Sequence, residues 1–301
     1  MVFFDTPYEM PPYRPPSEAQ SVLFRVTRGC HWNQCTFCGM YRNQRFSVRD
    51  PEEVIADIKK AASLWGGVPR TVFLGDSDVL VMKTRDLVRV LKAIYAEFSD
   101  VIRVTAYTRG KTLYRKPLDE LERLHQAGLT RLHVGLESGD SEVLRRIKKG
   151  LTPEEMVIGG RKAIEAGFQL SLYVIMGIGG EDRWREHALN TAEVLNQVAP
   201  HFVRLRTYIM QMGTPLAEEV ERGEFKMASC LTVLYETKLL LEKLNISTLF
   251  LSDHVSNYLP LNGELPGEKG HLLAQLDLAI AELEANPHLV ERCSHRGYIS
   301  L

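Results

Sequence analysis

Cys30, Cys35 and Cys38 stand in one short run, Gly29-Cys30-His31-Trp32-Asn33-Gln34-Cys35-Thr36-Phe37-Cys38-Gly39, in a chain that has five cysteines. Three thiolates on such a loop can hold three corners of a cubic [4Fe–4S] cluster. A fully ligated cluster of this type uses four cysteines. Here one iron would stay open to a substrate or cofactor, as a catalytic metal keeps one position free. Zinc is the other chemistry open to this donor set, with His31 as fourth ligand. His31 is adjacent to Cys30, however, whereas structural zinc ligands come as separated pairs. Disulfides do not suit so tight a spacing in a chain whose N-terminus lacks the features of a secretion signal.

The run resembles the signature of the radical S-adenosylmethionine (radical SAM) enzymes. Most members have three residues and then two between the cysteines; this chain has four and then two. The half Cys35-Thr36-Phe37-Cys38 matches closely, and the extra residue marks an altered first half of the loop. The resemblance implies that Cys30, Cys35 and Cys38 ligate the cluster and that Phe37 packs beside the adenine of SAM. It also implies a one-electron reductant of the flavodoxin or ferredoxin type. The reaction expected is reductive cleavage of SAM to methionine and a 5′-deoxyadenosyl radical, which abstracts hydrogen from a substrate in an oxygen-sensitive enzyme.

Such a loop has to be carried by a scaffold. From Val22 to Tyr208 strand-like and helix-like segments alternate, six times in succession. That order implies parallel strands joined by right-handed crossovers. The polar motifs follow the strands, where active sites of parallel barrels gather. The resemblance implies the same plan: an α/β fold with a partial (β/α)6 TIM-like barrel. Residues 1–20, rich in proline, are expected to form an extended arm, residues 21–215 the barrel core, and residues 216–301 a mostly helical C-terminal extension covering the substrate side.

Three strand-end motifs carry the expected SAM contacts. Gly75 and Asp76 follow the second strand, where relatives meet the amino group of the methionine moiety. Gly135-Leu136-Glu137-Ser138-Gly139 follows the fourth strand and closely resembles the stretch in the Elp3/MiaB-like and HemN-like branch; Glu137 would accept the ribose hydroxyls, with Ser138 beside it. Gly177, Ile178 and Gly179 follow the fifth strand, where the backbone would lie against adenine. The charges of the next segment, Asp140 to Lys149, are expected on a solvated helix face.

Arg204, Arg206 and Tyr208 share one parity after the fifth helix. Either they line the cavity, where arginine can hold a carboxylate or phosphate, or they pair with acids of the helices. In the tail, the strand-like run Ile246–Leu251 leads to Asp253, His254, Asn257 and Tyr258, expected on the pocket wall. A proline- and glycine-rich turn over residues 260–270 follows. Cys230 and Cys293 are too few for a second cluster.

Composition sets the remaining bounds. The net charge is −1, charged residues make up 25% and hydrophobic ones 45%. Without a basic excess, nucleic acid is not the expected partner, and no apolar run has the length of a membrane span. A small-molecule substrate in a reducing cytosol is the expectation. An RNA-modifying enzyme and a non-catalytic iron–sulfur or zinc protein are the alternatives.

Overall fold

In the computed structural model of the protein, residues 13–65 and 70–295 are described. Residues 1–12 of the expected arm, and Gly66-Gly67 at the expected end of the first helix, lie outside them. The chain enters through strand β1 (Val22–Arg25) and the short β2 (Thr27–Arg28), passes the cysteine loop and returns as β3 (Ser47–Val48), antiparallel to β2. The barrel continues with α1 (Pro51–Trp65), β4 (Thr71–Gly75), α2 (Thr84–Glu97), β5 (Arg103–Arg109), α3 (Gly110–Arg115) and α4 (Leu118–Gln126). It closes with β6 (Leu129–Glu137), α5 (Ser141–Arg146), α6 (Pro153–Glu165), β7 (Gln169–Met176), α7 (Gly180–Val198) and β8 (Phe202–Thr207). The tail holds α8 (Pro215–Glu221), α9 (Cys230–Lys243), β9 (Thr248–Leu251), β10 (Asn262–Leu265), α10 (Lys269–Ala285) and α11 (Pro287–His295).

The main sheet runs β1-β4-β5-β6-β7-β8-β9-β10. Neighbours from β1 to β9 pair in parallel, and β10 pairs antiparallel with β9. The six expected strands of the α/β barrel are therefore present in their expected order. The tail lengthens the curved sheet instead of only capping it with helices. β10 falls within the stretch expected to be a turn. Its sequence Asn-Gly-Glu-Leu has no β-branched residue, so nothing local announces a strand; pairing with β9 makes it one.

Helix ends follow local chemistry. Thr152 and Glu155 form a reciprocal capping box at α6 with Pro153 in the first turn, the arrangement that satisfies the free N–H groups of a helix start. At α8 and α9 the Thr214 and Ser229 hydroxyls each accept from the N–H three residues on, Ala217 and Thr232. The outward face of the strands is aliphatic: Val72, Leu74, Val104, Ala106, Leu132, Val134, Leu172, Val174, Val203 and Leu205 are buried against the helices. The alternate residues point into the barrel, as a period of two requires. There Phe73, Tyr107, His133 and Tyr173 stack edge to face or tilted, with ring centroids 5.1–6.3 Å apart.

The end of the N-terminal arm enters this interior. Glu18 is fully buried; it accepts hydrogen bonds from Ser21 Oγ (2.6 Å) and His133 Nε2 (3.1 Å) and faces Arg103 Nη2 at 3.5 Å. His133 Nδ1 lies 3.3 Å from the Tyr173 hydroxyl. The described end of the arm, residues 13–20, is thus held to the barrel by a buried carboxylate, which the sequence alone does not reveal.

Candidate active site

The cysteine loop is held from three strand ends. Behind β4, the Asp76 carboxylate takes Arg25 Nη2 at 2.7 Å and the Gly29 N–H at 3.0 Å, and Ser77 Oγ donates to the Gly29 carbonyl at 2.8 Å. Beyond β6, Trp32 Nε1 donates to the Lys148 carbonyl (2.7 Å) and Thr36 N–H to the Ile147 carbonyl (3.0 Å). Beyond β8, Gly39 N–H donates to Gln211 Oε1 (2.8 Å). Within the first gap Asn33 has φ 45°, a region asparagine tolerates better than most residues. Its side-chain amide donates to the Tyr41 carbonyl at 2.8 Å.

All three cysteines are free and partly buried. Burial pushes the Cys35 thiol up to about 11, against the pull of the Lys149 ammonium, and raises Cys38 as well. Among the described residues, no group of three His, Cys, Asp or Glu side chains gathers as the site of one metal ion would. Three free thiols on one loop are the donor type that iron–sulfur clusters take.

Beside the loop lies Glu137, at the last residue of β6, with φ 65°. The register of β6 on β7 shifts between Gly135 and Glu137. Glu137 Oε1 meets Lys149 Nζ at 2.5 Å, and both side chains are about nine-tenths buried. A Cβ on Gly135 would fall 2.0 Å from Glu137 Oε1 and 2.9 Å from Lys149 Nζ. Only glycine leaves room for this ion pair. Gly139 answers a different need: its Cβ would fall 2.3 Å from the Asn190 carbonyl oxygen on α7.

A family model described as the radical SAM superfamily matches residues 24–195, more than half of the chain. The chain belongs to the radical SAM superfamily. It is 30% identical over 204 residues to "tRNA-2-methylthio-N(6)-dimethylallyladenosine synthase" of Dictyoglomus thermophilum, covering 64% of this chain and 44% of that one. It is 34% identical over 203 residues to "Probable threonylcarbamoyladenosine tRNA methylthiotransferase" of Methanocaldococcus jannaschii, covering 64% and 45%. The chain thus spans less than half the length of these curated relatives. Its fold is that of coproporphyrinogen III oxidase (HemN) from Escherichia coli (TM-score 0.55, 19% identity, 74% of this chain and 52% of that one). It is also that of methylornithine synthase (PylB) (TM-score 0.52, 21% identity, 75% and 63%).

Membership of this superfamily implies a [4Fe–4S] cluster and SAM. Phe37 and Ile178 belong to one apolar cluster with Val143, Leu144 and Ile147, so two of the residues expected near adenine are brought together. Others expected near SAM also make contacts within the protein. The Asp76 carboxylate is occupied by Arg25 and Gly29, which makes it a brace of the loop. Ser138 Oγ pairs with His187 Nδ1 at 2.8 Å and accepts from Asp140 N–H at 2.9 Å. The Gly177 N–H donates to Glu236 Oε2 at 2.5 Å, and a Cβ on Gly179 would press on His187 and the Arg183 carbonyl. Gly75 ends β4, paired with Arg25.

Lys149 corrects the expectation of a solvated face: α5 ends at Arg146, and the chain then turns Lys149 inward. The signal was its place directly before Gly150, whose φ is 69° and whose Cβ would strike the Trp32 ring at 2.4 Å. His187 and Glu236 were also missed. Both are fully buried on the helix side of the SAM loops; burial pushes His187 down to about 4 and Glu236 well above the usual carboxylate range. His187 Nε2 lies 3.8 Å from Glu236 Oε1.

The residues expected on the substrate wall divide. Arg204, Arg206, Asp253 and His254 line one partly open cavity with Ser17 and Tyr173. Tyr208 does not join them. It lies past the end of β8, packs edge-on against Phe225 at 6.3 Å and is buried in the apolar cluster around Ile178. Parity holds only while the strand lasts. Asn257 is a brace, donating to the Leu205 carbonyl (2.9 Å) and meeting Thr207 Oγ1 (3.1 Å). Tyr258 packs against the main core beside Met176 and Val233.

Proposed function

We propose that this radical SAM enzyme cleaves SAM reductively and directs the resulting radical at a small molecule held inside the barrel. The observation that carries the proposal is the Glu137–Lys149 pair, which lies beside the cysteine loop at the mouth of a barrel with its own partly open cavity. When bound, the cluster and SAM together supply one-electron cleavage of the sulfonium to methionine and a 5′-deoxyadenosyl radical. Cys30, Cys35 and Cys38 would hold the cluster. Glu137 would accept the ribose hydroxyls, and Lys149 would offer its charge to the methionine carboxylate. Phe37 and Ile178 would flank the adenine. The aromatic lining and the anchored arm would keep water and stray hydrogen donors away from the substrate, as radical chemistry requires. A reductant of the flavodoxin or ferredoxin type would deliver the electron.

Protein reconstituted anaerobically and reduced with dithionite should release 5′-deoxyadenosine and methionine in equal amounts, measured by liquid chromatography and mass spectrometry. Methylthioadenosine as the product, or no cleavage by a fully loaded cluster, would overturn the proposal. The names of the two curated relatives favour a tRNA as a second reading. Stimulation of SAM turnover by bulk tRNA, with no effect of a small-metabolite extract, would replace the small molecule with it.

A further inference from the structure

Arg204 and Arg206 point into the barrel from β8, between the outward-facing Val203, Leu205 and Thr207. Most arginines around the core have an acidic or carbonyl partner. Arg25 pairs with Asp76, Arg103 with Glu18, Arg183 with Asp140 and Arg146 with Glu219, while Arg109 donates to the Lys149 carbonyl. Arg204 and Arg206 have no carboxylate partner among the described residues. Arg204 Nε donates to the Ser171 hydroxyl at 3.2 Å. The Arg206 guanidinium lies over the Tyr173 ring, 5.2 Å from its centroid, and makes no hydrogen bond among the described residues.

Both line a cavity of about 180 Å³ with Tyr173, His254 and Ser17 of the N-terminal arm. That is room for a small molecule of roughly six waters' volume. Its one carboxylate, Asp253, is exposed and forms no ion pair with either arginine. The third donor is His254. The Ser256 N–H donates to its Nδ1 at 3.2 Å and the Ser256 hydroxyl lies 2.8 Å from the same atom. The neutral ring therefore carries its proton on Nε2. Guanidinium groups match carboxylate and phosphate oxygens in a planar, two-pronged way. A partly buried pair of them without acids calls for an anion from outside.

We propose that Arg204, Arg206 and His254 form the binding site for a carboxylate or phosphate group of the substrate. This rests on the reading of a small molecule inside the barrel and names its class. The anionic group would sit on the β8–β9 side of the barrel, where these three side chains stand.

The test uses the full chain and three probes: pyrophosphate, glutarate and neutral glutaramide, titrated by calorimetry. Pyrophosphate or glutarate should bind saturably and glutaramide should not; the better of the two anions identifies phosphate or carboxylate. Arg206→Gln and Arg204→Gln should each weaken that binding roughly tenfold or more, as loss of charged hydrogen bonds does. Arg222→Gln, on the exposed surface, should match the unchanged protein. Should a barrel variant fail to fold, phenylglyoxal labelling of the unchanged protein replaces it: the anion should protect Arg204 and Arg206 from modification. Equal affinity in the Arg206→Gln variant, no protection of either arginine, or no saturable binding of either anion would overturn the proposal. Release of 5′-deoxyadenosine by the unchanged holoenzyme is read separately. Its absence would remove the radical reading and leave the anion result standing; its presence without anion binding would do the reverse.

Discussion

Replacing Glu18 with alanine should unpin the arm from the barrel. The carboxylate and His133 are both fully shielded from solvent. In the variant, Ser21 keeps a second partner in Thr71 Oγ1 at 2.8 Å, and Arg103, 29% exposed, can turn to water. The His133 Nε2–H finds no other acceptor among the described residues, and an orphaned buried donor is costly. Adding the lost charge-assisted bond, the variant should be less stable by about 3 kcal/mol. That corresponds to a melting point lower by about 5 °C in a chain of this size. The pH dependence is a second signature. Burial alone would raise the Glu18 carboxyl; hydrogen bonds from His133 and Ser21 outweigh it and hold the group at about 2, below its usual 4.5. A carboxylate with a depressed value stabilises the fold above its unfolded value and ceases to do so as pH falls through its folded one. The difference in stability between the unchanged protein and Glu18→Gln should therefore shrink from about pH 4.5 to about pH 2. Thermal melts followed by circular dichroism over pH 2–7 measure both effects. A Glu18→Ala variant that melts within about 1 °C of the unchanged protein, or an acid profile that Glu18→Gln leaves intact, would refute the reasoning.

Other outcomes follow from the site. Cys30→Ser, Cys35→Ser and Cys38→Ser should each abolish iron uptake and the visible absorbance of the reconstituted cluster, whereas Cys230→Ser should retain both; zinc without iron would contradict the assignment. Glu137→Gln should weaken SAM binding roughly tenfold or more, the scale of a lost charged hydrogen bond, with iron content unchanged; equilibrium dialysis with labelled SAM decides. Glu236→Leu should cost about 1–3 kcal/mol because the Gly177 N–H loses its buried acceptor, while Glu236→Gln, which keeps an acceptor oxygen for that N–H, should cost less. Equal melting points for those two variants would show that the carboxyl does not hold the loop.

The cluster loop, the alternation of six strands with helices and the motif at Glu137 were legible in the chain itself. Each depends on local spacing: thiols within one loop, periods of two and of 3.6, and capping residues or glycines at element ends. The tertiary structure decided what each polar group faces. Asp76, Ser138 and Gly177 follow the strand ends where SAM contacts are expected; that they also meet Arg25, His187 and Glu236, distant in sequence, only the fold shows. Lys149 looked like a surface charge until the turn at Gly150 placed it beside Glu137. Tyr208 left the parity of Arg204 and Arg206 because β8 ends one residue before it. Glu18 and His254 joined the barrel only because the arm and the tail strands fold back onto it. A sequence states which groups are available at each strand end. Partners brought together by the closing of the sheet determine which of those groups remain free to meet a ligand.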